Sequence, residues 1–315
     1  MPPPPPSAGP GPGRPQPWGG PAAHAVPRLP RSTKEALVDP FIAHPYYVPS
    51  GPLRPWVKKL MRRLGCKETT MRSESYAGLA DDYHMLLGEL AEHTWRVGVL
   101  PEAARTRPCP SAVVVDLGAG TGIGGRLLAA HLPQPMRIGV DRSAAMLAQA
   151  ADAYEHTVLS SIDVLPLSGE SADLVVSGFD TLNYLPVPAL GRCLREVARC
   201  LRPGGRLIAD LSSPHLLRCR WRDHSDVQEF QDGAVHWRHR YDPENDRCVS
   251  VVERRDAADA TCWRETHIQY AVDAGQLHEL AAAAGMRVER VRDLEHNHYS
   301  PAAFTHVWTL RKEAR

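Results

Sequence analysis

The chain has 315 residues, 43% of them hydrophobic, and 37 Lys/Arg against 36 Asp/Glu leave a formal charge of +1. That length suits one large domain with elaborations or two small ones, and the balanced charge gives no bulk electrostatic reason to expect a nucleic-acid partner. No apolar run approaches the ~20 residues of a membrane span. The N-terminus lacks a secretory core, and seven scattered cysteines without metal-ligand spacing read as free thiols of a reducing cytoplasm.

Residues 1–33 carry about a dozen prolines with Gly and Ala. Such a segment buries too little surface to offset its conformational entropy, so a disordered tail is expected. Residues 34–100 read as a helical cap. Within it Pro40, Pro45, Pro49, Pro52 and Pro55 forbid a continuous helix before Trp56. Trp56, Val57, Leu60, Met61 and Leu64 then recur at helical spacing, with Gly65 as C-cap. Its basic outer face, Lys58, Lys59, Arg62 and Arg63, could meet a membrane or partner; packing on the chain's own domain is the expectation. A helical pair is expected over 73–93.

The run from Val113 to Gly122 holds the most chemistry. Three β-branched residues lead to Asp116, then to Gly118, Ala119, Gly120 and Gly122, then to an apolar helix. That order means a buried parallel strand, a turn that lets backbone approach a ligand, and a helix N-terminus facing the same point. About twenty residues beyond Gly120, the apolar Ile138-Gly139-Val140 ends in Asp141, whose carboxylate can accept from both ribose hydroxyls. A nucleoside pocket follows. Gly120 to Gly125 also fits the G-x-G-x-x-G dinucleotide pattern, so a nicotinamide oxidoreductase is an alternative.

Asp116-Leu117-Gly118-Ala119-Gly120-Thr121-Gly122 resembles the first motif of the class I S-adenosylmethionine-dependent methyltransferases. The resemblance continues in order through Gly139 to Leu147, Ala172 to Gly178 and Leu201 to Leu207, and covers roughly 72–311. It implies a doubly wound, seven-stranded Rossmann-like α/β sheet with an antiparallel last strand, over a methyltransferase domain at 101–315. Strands are expected at 112–116, 137–141, 155–160, 172–177, 205–211, 249–254, 262–270, 286–292 and 304–311, with helices near 122–131, 143–151, 187–200 and 274–284. Strand-like segments at 234–241 and 247–254 flank the turn Tyr241 to Asp246. By resemblance, residues 213–260 form an antiparallel β insertion that covers the substrate.

The resemblance also assigns a site for S-adenosylmethionine. Gly118, Ala119, Gly120 and Gly122 would meet the methionine part, Asp116 its amino group and Asp141 the ribose. Arg142 and Met146 would flank the adenine, and Gly178 lies at the end of the fourth strand. The adenine edge departs from the family: Ser161 stands where an acid is usual, so either Ser161 makes a weaker contact, or Asp163 bends inward, or the backbone at Ile162 and Asp163 does the reading. Tyr76, in a segment similar to the family's first helices, would close over the sulfonium.

Reacting atoms sit outside the carboxyl ends of the strands in an open α/β sheet, which points to the loop Phe179 to Leu185. Asn183 and Tyr184 are its catalytic candidates, and His215 and His267 are candidate bases if the acceptor must lose a proton. Trp237 and Tyr241 would line the substrate wall. Asn-Pro-Pro-Tyr, common where nucleic acids or glutamine are methylated, is absent. The expectation is methyl transfer to N, O or C of a small molecule, in specialised metabolism, without a metal. A macromolecular methyltransferase and a non-catalytic binding protein remain open, and oligomeric state is not legible.

Overall fold

The computed structural model describes residues 76–313 apart from 133, 134 and 295. The expected tail at 1–33, the helix at 56–64 and the start of the 73–93 pair lie outside the described residues. From 79 to 105 the backbone stays helical: α1 (Leu79–Tyr83), α2 (Glu89–Thr94) and α3 (Leu100–Arg105) are joined by π-helical turns at His84–Gly88 and Trp95–Val99. The sequence reading ended this segment near His93. It runs on because Val99, Leu100 and Ala103 are buried against the sheet and Glu102 meets the buried Arg292 at 2.8 Å.

The main sheet is built from β1 (Val113–Leu117), β2 (Met136–Asp141), β3 (His156–Leu159), β4 (Ala172–Ser177), β5 (Leu201–Ser212), β10 (Met286–Asp293) and β11 (Thr305–Lys312). Its order is β10-β11-β5-β4-β1-β2-β3. The first five strands are parallel, and β11 runs antiparallel to both β5 and β10. This is the expected doubly wound sheet with an antiparallel edge pair. The order reverses between β1 and β4, and a crevice opens there at the strand ends.

Alternation along β1 divides the core. Val113, Val115 and Leu117 face the cluster containing Leu190, Leu194 and Val197 of α6 (Val187–Cys200). Val114 faces Leu127 and Leu128 of α4 (Ile123–His131) and Trp95. Two-sided burial explains why the strand reads as a continuous apolar run. The short α5 (Ala144–Gln149) starts where Ser143 caps the Met146 N–H. In α7 (Ala274–Ala283) Asp273 and Gln276 form a reciprocal capping box.

A second, antiparallel sheet follows β5: β6 (Asp223–Phe230), β7 (Gly233–Asp242), β8 (Arg247–Asp256) and β9 (Thr261–Tyr270). The sequence reading placed 262–270 among the core strands and ended the insertion at 260. The segment instead pairs with β8 through the tight turn at Asp256, where the Asp256 N–H donates to the Ala260 carbonyl at 3.0 Å. Strand β6 was not expected, because its polar, mostly exposed residues lack apolar alternation.

The second sheet is docked on the helices by one carboxylate. Glu265 of β9 accepts the backbone N–H groups of Tyr76 (2.6 Å), Gly78 (2.6 Å) and Leu79 (3.0 Å), which occupies orphan donors at the start of α1. The Trp263 indole adds a hydrogen bond to Asp82 at 2.9 Å, and Leu79, Tyr83, Val235 and Val252 form an apolar seam beside them. Replacement Glu265→Ala should cost at least the ~1–2 kcal/mol of a lost helix cap. Hydrogen exchange should show it as faster exchange confined to the amides of 76–83 and the β8–β9 face.

Candidate active site

The turn after β1 takes a backbone path that only glycine follows freely. Gly118, Gly120 and Gly122 have φ of +77°, +52° and +88°, in the left-handed region that glycine occupies without cost. A Cβ at Gly118 would also overlap Thr181. The turn lines a cavity with Tyr76, Ala119, Asp141, Arg142, Met146, Ile162 and Gly178. Asp141 is locked there: one oxygen accepts the Gly120 N–H at 2.8 Å, the other the Ser143 N–H at 2.9 Å. Each oxygen keeps a lone pair for a ribose hydroxyl.

Asp116 and Gly122 stand behind this wall rather than on it. Gly122 packs on Ala153, at the N-terminus of α4. Asp116 is 1% exposed; its Oδ2 accepts the Tyr154 hydroxyl at 2.5 Å, while Oδ1 has no partner among the described residues. Burial pushes its pKa up to about 7 against the Tyr154 hydrogen bond, and Asp141 adds to the rise. An orphaned buried oxygen beside the glycine turn suits a cationic amino group, reached directly or through water. It opposes the pyrophosphate of a dinucleotide, whose charge has the same sign.

The adenine side differs from expectation in one residue. Ser161 and Ile162 line the cavity, but Asp163 does not. Its carboxylate takes the Ser161 hydroxyl at 2.5 Å and the Arg192 guanidinium at 2.8 Å. These partners outweigh its partial burial and hold its pKa below the usual value.

A second cavity of ≈ 1450 Å³ lies between the β-sheet insertion and the helices, and shares Tyr76, Phe179 and Tyr184 with the first. Of the catalytic candidates, Tyr184 and His267 reach it. The Tyr76 hydroxyl donates to that of Tyr184 at 2.5 Å, and Tyr184 lies 3.4 Å from His267 Nδ1. Burial raises both tyrosine pKa values, which keeps the phenols protonated.

The other two candidates are placed elsewhere. His215 stacks on Phe304 and does not line the cavity. Asn183 is fully buried and saturated: it donates to the Ser212 and Tyr270 carbonyls, both at 3.0 Å, and accepts the Ser212 N–H at 2.9 Å. It clamps the loop and leaves nothing for a substrate. Trp237 lines the cavity as expected, whereas the Tyr241 hydroxyl is spent on Asp246 at 2.5 Å.

Sequence reasoning missed several residues. Trp95 lies wedged between the two chain turns, so that a Cβ at Gly124 or Gly178 would overlap its ring. Those glycines, one in the first turn of α4 and one just past β4, were the only available signal. Asp180 and Asp210 both line the large cavity. Phe179 and Asp180 have φ of +57° and +52°, each a strain of roughly 1–3 kcal/mol in a non-glycine residue. Asp210 secures them by accepting the Asp180 N–H at 3.1 Å. No cluster of three or more His, Cys, Asp or Glu among the described residues could hold a metal.

A doubly wound sheet with an antiparallel edge pair, a glycine turn and a carboxylate at the second strand end define a nucleoside-binding α/β protein of the methyltransferase arrangement. Residues 114–205 match the family model described as "Methyltransferase domain". Trans-aconitate 2-methyltransferase of Deinococcus radiodurans is 41% identical over 107 residues, 34% of this chain and 40% of that enzyme. The chain thus spans less than half of that curated relative. Among solved structures, the CcbJ methyltransferase of Streptomyces caelestis superposes with a TM-score of 0.65 at 20% identity, over 78% of this chain and all of that one. An S-adenosylmethionine-dependent methyltransferase of Clostridium acetobutylicum gives 0.65 at 16% identity, over 76% and 99%. Residues 114–205 thus match a methyltransferase-domain family, and the fold is the one shared by these S-adenosylmethionine-dependent methyltransferases.

The Asp116 proton has a measurable consequence. A carboxyl that keeps its proton up to about 7 when folded, against 3.8 normally, stabilises the fold while protonated. That advantage is lost as pH rises through about 7. The melting temperature of the ligand-free protein should therefore fall between about pH 4 and 7. Asp116→Asn should fall less steeply in the same calorimetric series, and parallel slopes would refute the assignment.

Proposed function

We propose that this protein transfers the methyl group of S-adenosylmethionine to N, O or C of a small-molecule acceptor, as a step of specialised metabolism in the cytoplasm. The observation that carries the reading is the meeting of two cavities at Tyr76, Phe179 and Tyr184: one built for a nucleoside, one roofed by the insertion. The six cysteines among the described residues are all unpaired, which suits a reducing compartment. No described helix is long and apolar enough to cross a membrane.

In this reading residues 101–315 form the catalytic domain, 34–100 its helical cap and the insertion its substrate cover. Asp141 holds the ribose, Met146 and Ile162 sandwich the adenine, and the Gly118 to Gly120 backbone with Asp116 receives the amino-acid tail. The cofactor, when bound, supplies an electrophilic methyl on a sulfonium. What the chain adds is chiefly alignment, worth roughly 7–11 kcal/mol when two reactants are held in line. Tyr76 and Tyr184 stand at the cavity junction and bound the approach of the nucleophile, with His267 behind Tyr184.

Thermal-shift measurements separate this from the dinucleotide and macromolecular alternatives. S-adenosylhomocysteine should stabilise the protein, by about 2.7 kcal/mol at a hundred times its Kd, and NADH should not. Asp141→Ala should abolish the shift while leaving the ligand-free melting temperature within a few degrees. Stabilisation by NADH alone would end the proposal. Labelled methyl recovered in RNA or protein, rather than in small molecules, would move the acceptor class.

A further inference from the structure

The floor of the acceptor cavity is rich in carboxyl groups. Asp180 and Asp210 line it side by side, with Glu89, Asp226 and Asp293 further out, and no Lys or Arg among the described residues lines it. Asp210 is 1% exposed, and its Oδ1 reaches no donor among the described residues. The carboxylate takes backbone N–H groups, that of Asp180 named above and that of Phe179, while Asp180 accepts the Ser212 hydroxyl at 2.9 Å and a hydrogen bond from Gln269. Neither carboxylate forms an ion pair among the described residues. A buried carboxylate without a cation is costly, and an incoming positive charge is the group that relieves it.

The wall above suits the body of such a molecule. Trp221 stacks on His239 at 4.7 Å and 16°, and the Trp237 and His224 rings lie within 15° and 18° of His239. All four rings line the cavity and form one aromatic stack around His239. His239 itself stays neutral: burial and the neighbouring His224 lower its pKa to about 4. The pocket therefore presents an acidic floor and an aromatic wall.

Resting on the methyl-transfer reading, we infer that the acceptor is a basic amine whose ammonium group is held by Asp180 and Asp210, one of which takes its proton. The N–H proton passes to a carboxylate oxygen. The freed nitrogen lone pair forms the N–C bond as the methyl C–S bond breaks, its electron pair going to sulfur. The product is an N-methyl ammonium and the proton leaves through the carboxyl to solvent. Burial favours that uptake, raising Asp210 to about 7 with help from Asp180, and Asp180 to about 6 against the opposing effects of Ser212, Gln269 and His267. Tyr184 and Tyr76, protonated, face the same space.

The test uses the full chain saturated with S-adenosylhomocysteine and matched probes: tryptamine with tryptophol, phenethylamine with phenethyl alcohol, and glucosamine with glucose. Calorimetry should show at least one amine binding about tenfold or more tighter than its alcohol. Asp210→Asn and Asp180→Asn should each bring that ratio toward one with the S-adenosylhomocysteine Kd unchanged. If Asp210→Asn fails to fold, Asp180→Asn and the wild-type ratio decide. Alcohols binding as tightly as amines, no amine binding at all, or a preference that survives the substitutions would overturn the inference alone. A wild-type protein that binds no S-adenosylhomocysteine would overturn it together with the reading beneath it.

Discussion

One carboxylate caps the helix on which the second sheet is docked. The first amides of a helix have no partner within it, and an anion placed there satisfies both their hydrogen bonds and the helix dipole. Here the anion comes from Glu265, on a different sheet and 189 residues from Tyr76. Its pKa lies below the usual carboxylate value: burial opposes the charge, but His267 and the three N–H groups outweigh it. The docked helix brings Tyr76 to the junction with a φ of +72°, a conformation kept only because its N–H is held. Both cavities take their shape from that placement.

What could be read in the sequence, and what could not, follows the range of the forces involved. The strand, glycine turn and helix at 113–131 are local: β-branched residues, positive φ and apolar periodicity are written within twenty residues. Asp141 was reachable because the βαβ unit sets its distance from Gly120. The lining of the first cavity was legible for that reason. Its exceptions, Asp163 and the withdrawn Asp116, turned on side chains far along the chain, Arg192 and Tyr154.

The lining of the second cavity was much less legible. His215 and Asn183 had the residue types and strand-end positions of catalytic groups, yet packing committed one to Phe304 and the other to three backbone groups. Strand β6 hid behind polar residues because it is an exposed edge. The pairing of Asp180 with Asp210 depends on two parallel strands lying side by side, which no spacing of thirty residues announces. Long-range pairing is where pattern reading ends.

Asn183 also fixes where the insertion leaves and rejoins the main sheet. Its one amide nitrogen binds the carbonyls of Ser212 and Tyr270, so the two ends of the excursion between them meet at a single point. A polypeptide loop with touching ends can change length or be exchanged with little effect on its scaffold, since closure entropy grows only logarithmically. The arrangement is a cassette. Evolution, or an engineer, could replace the roof wholesale and hand the same methyl donor to a new clientele, provided the replacement brought its own carboxylate for the waiting helix.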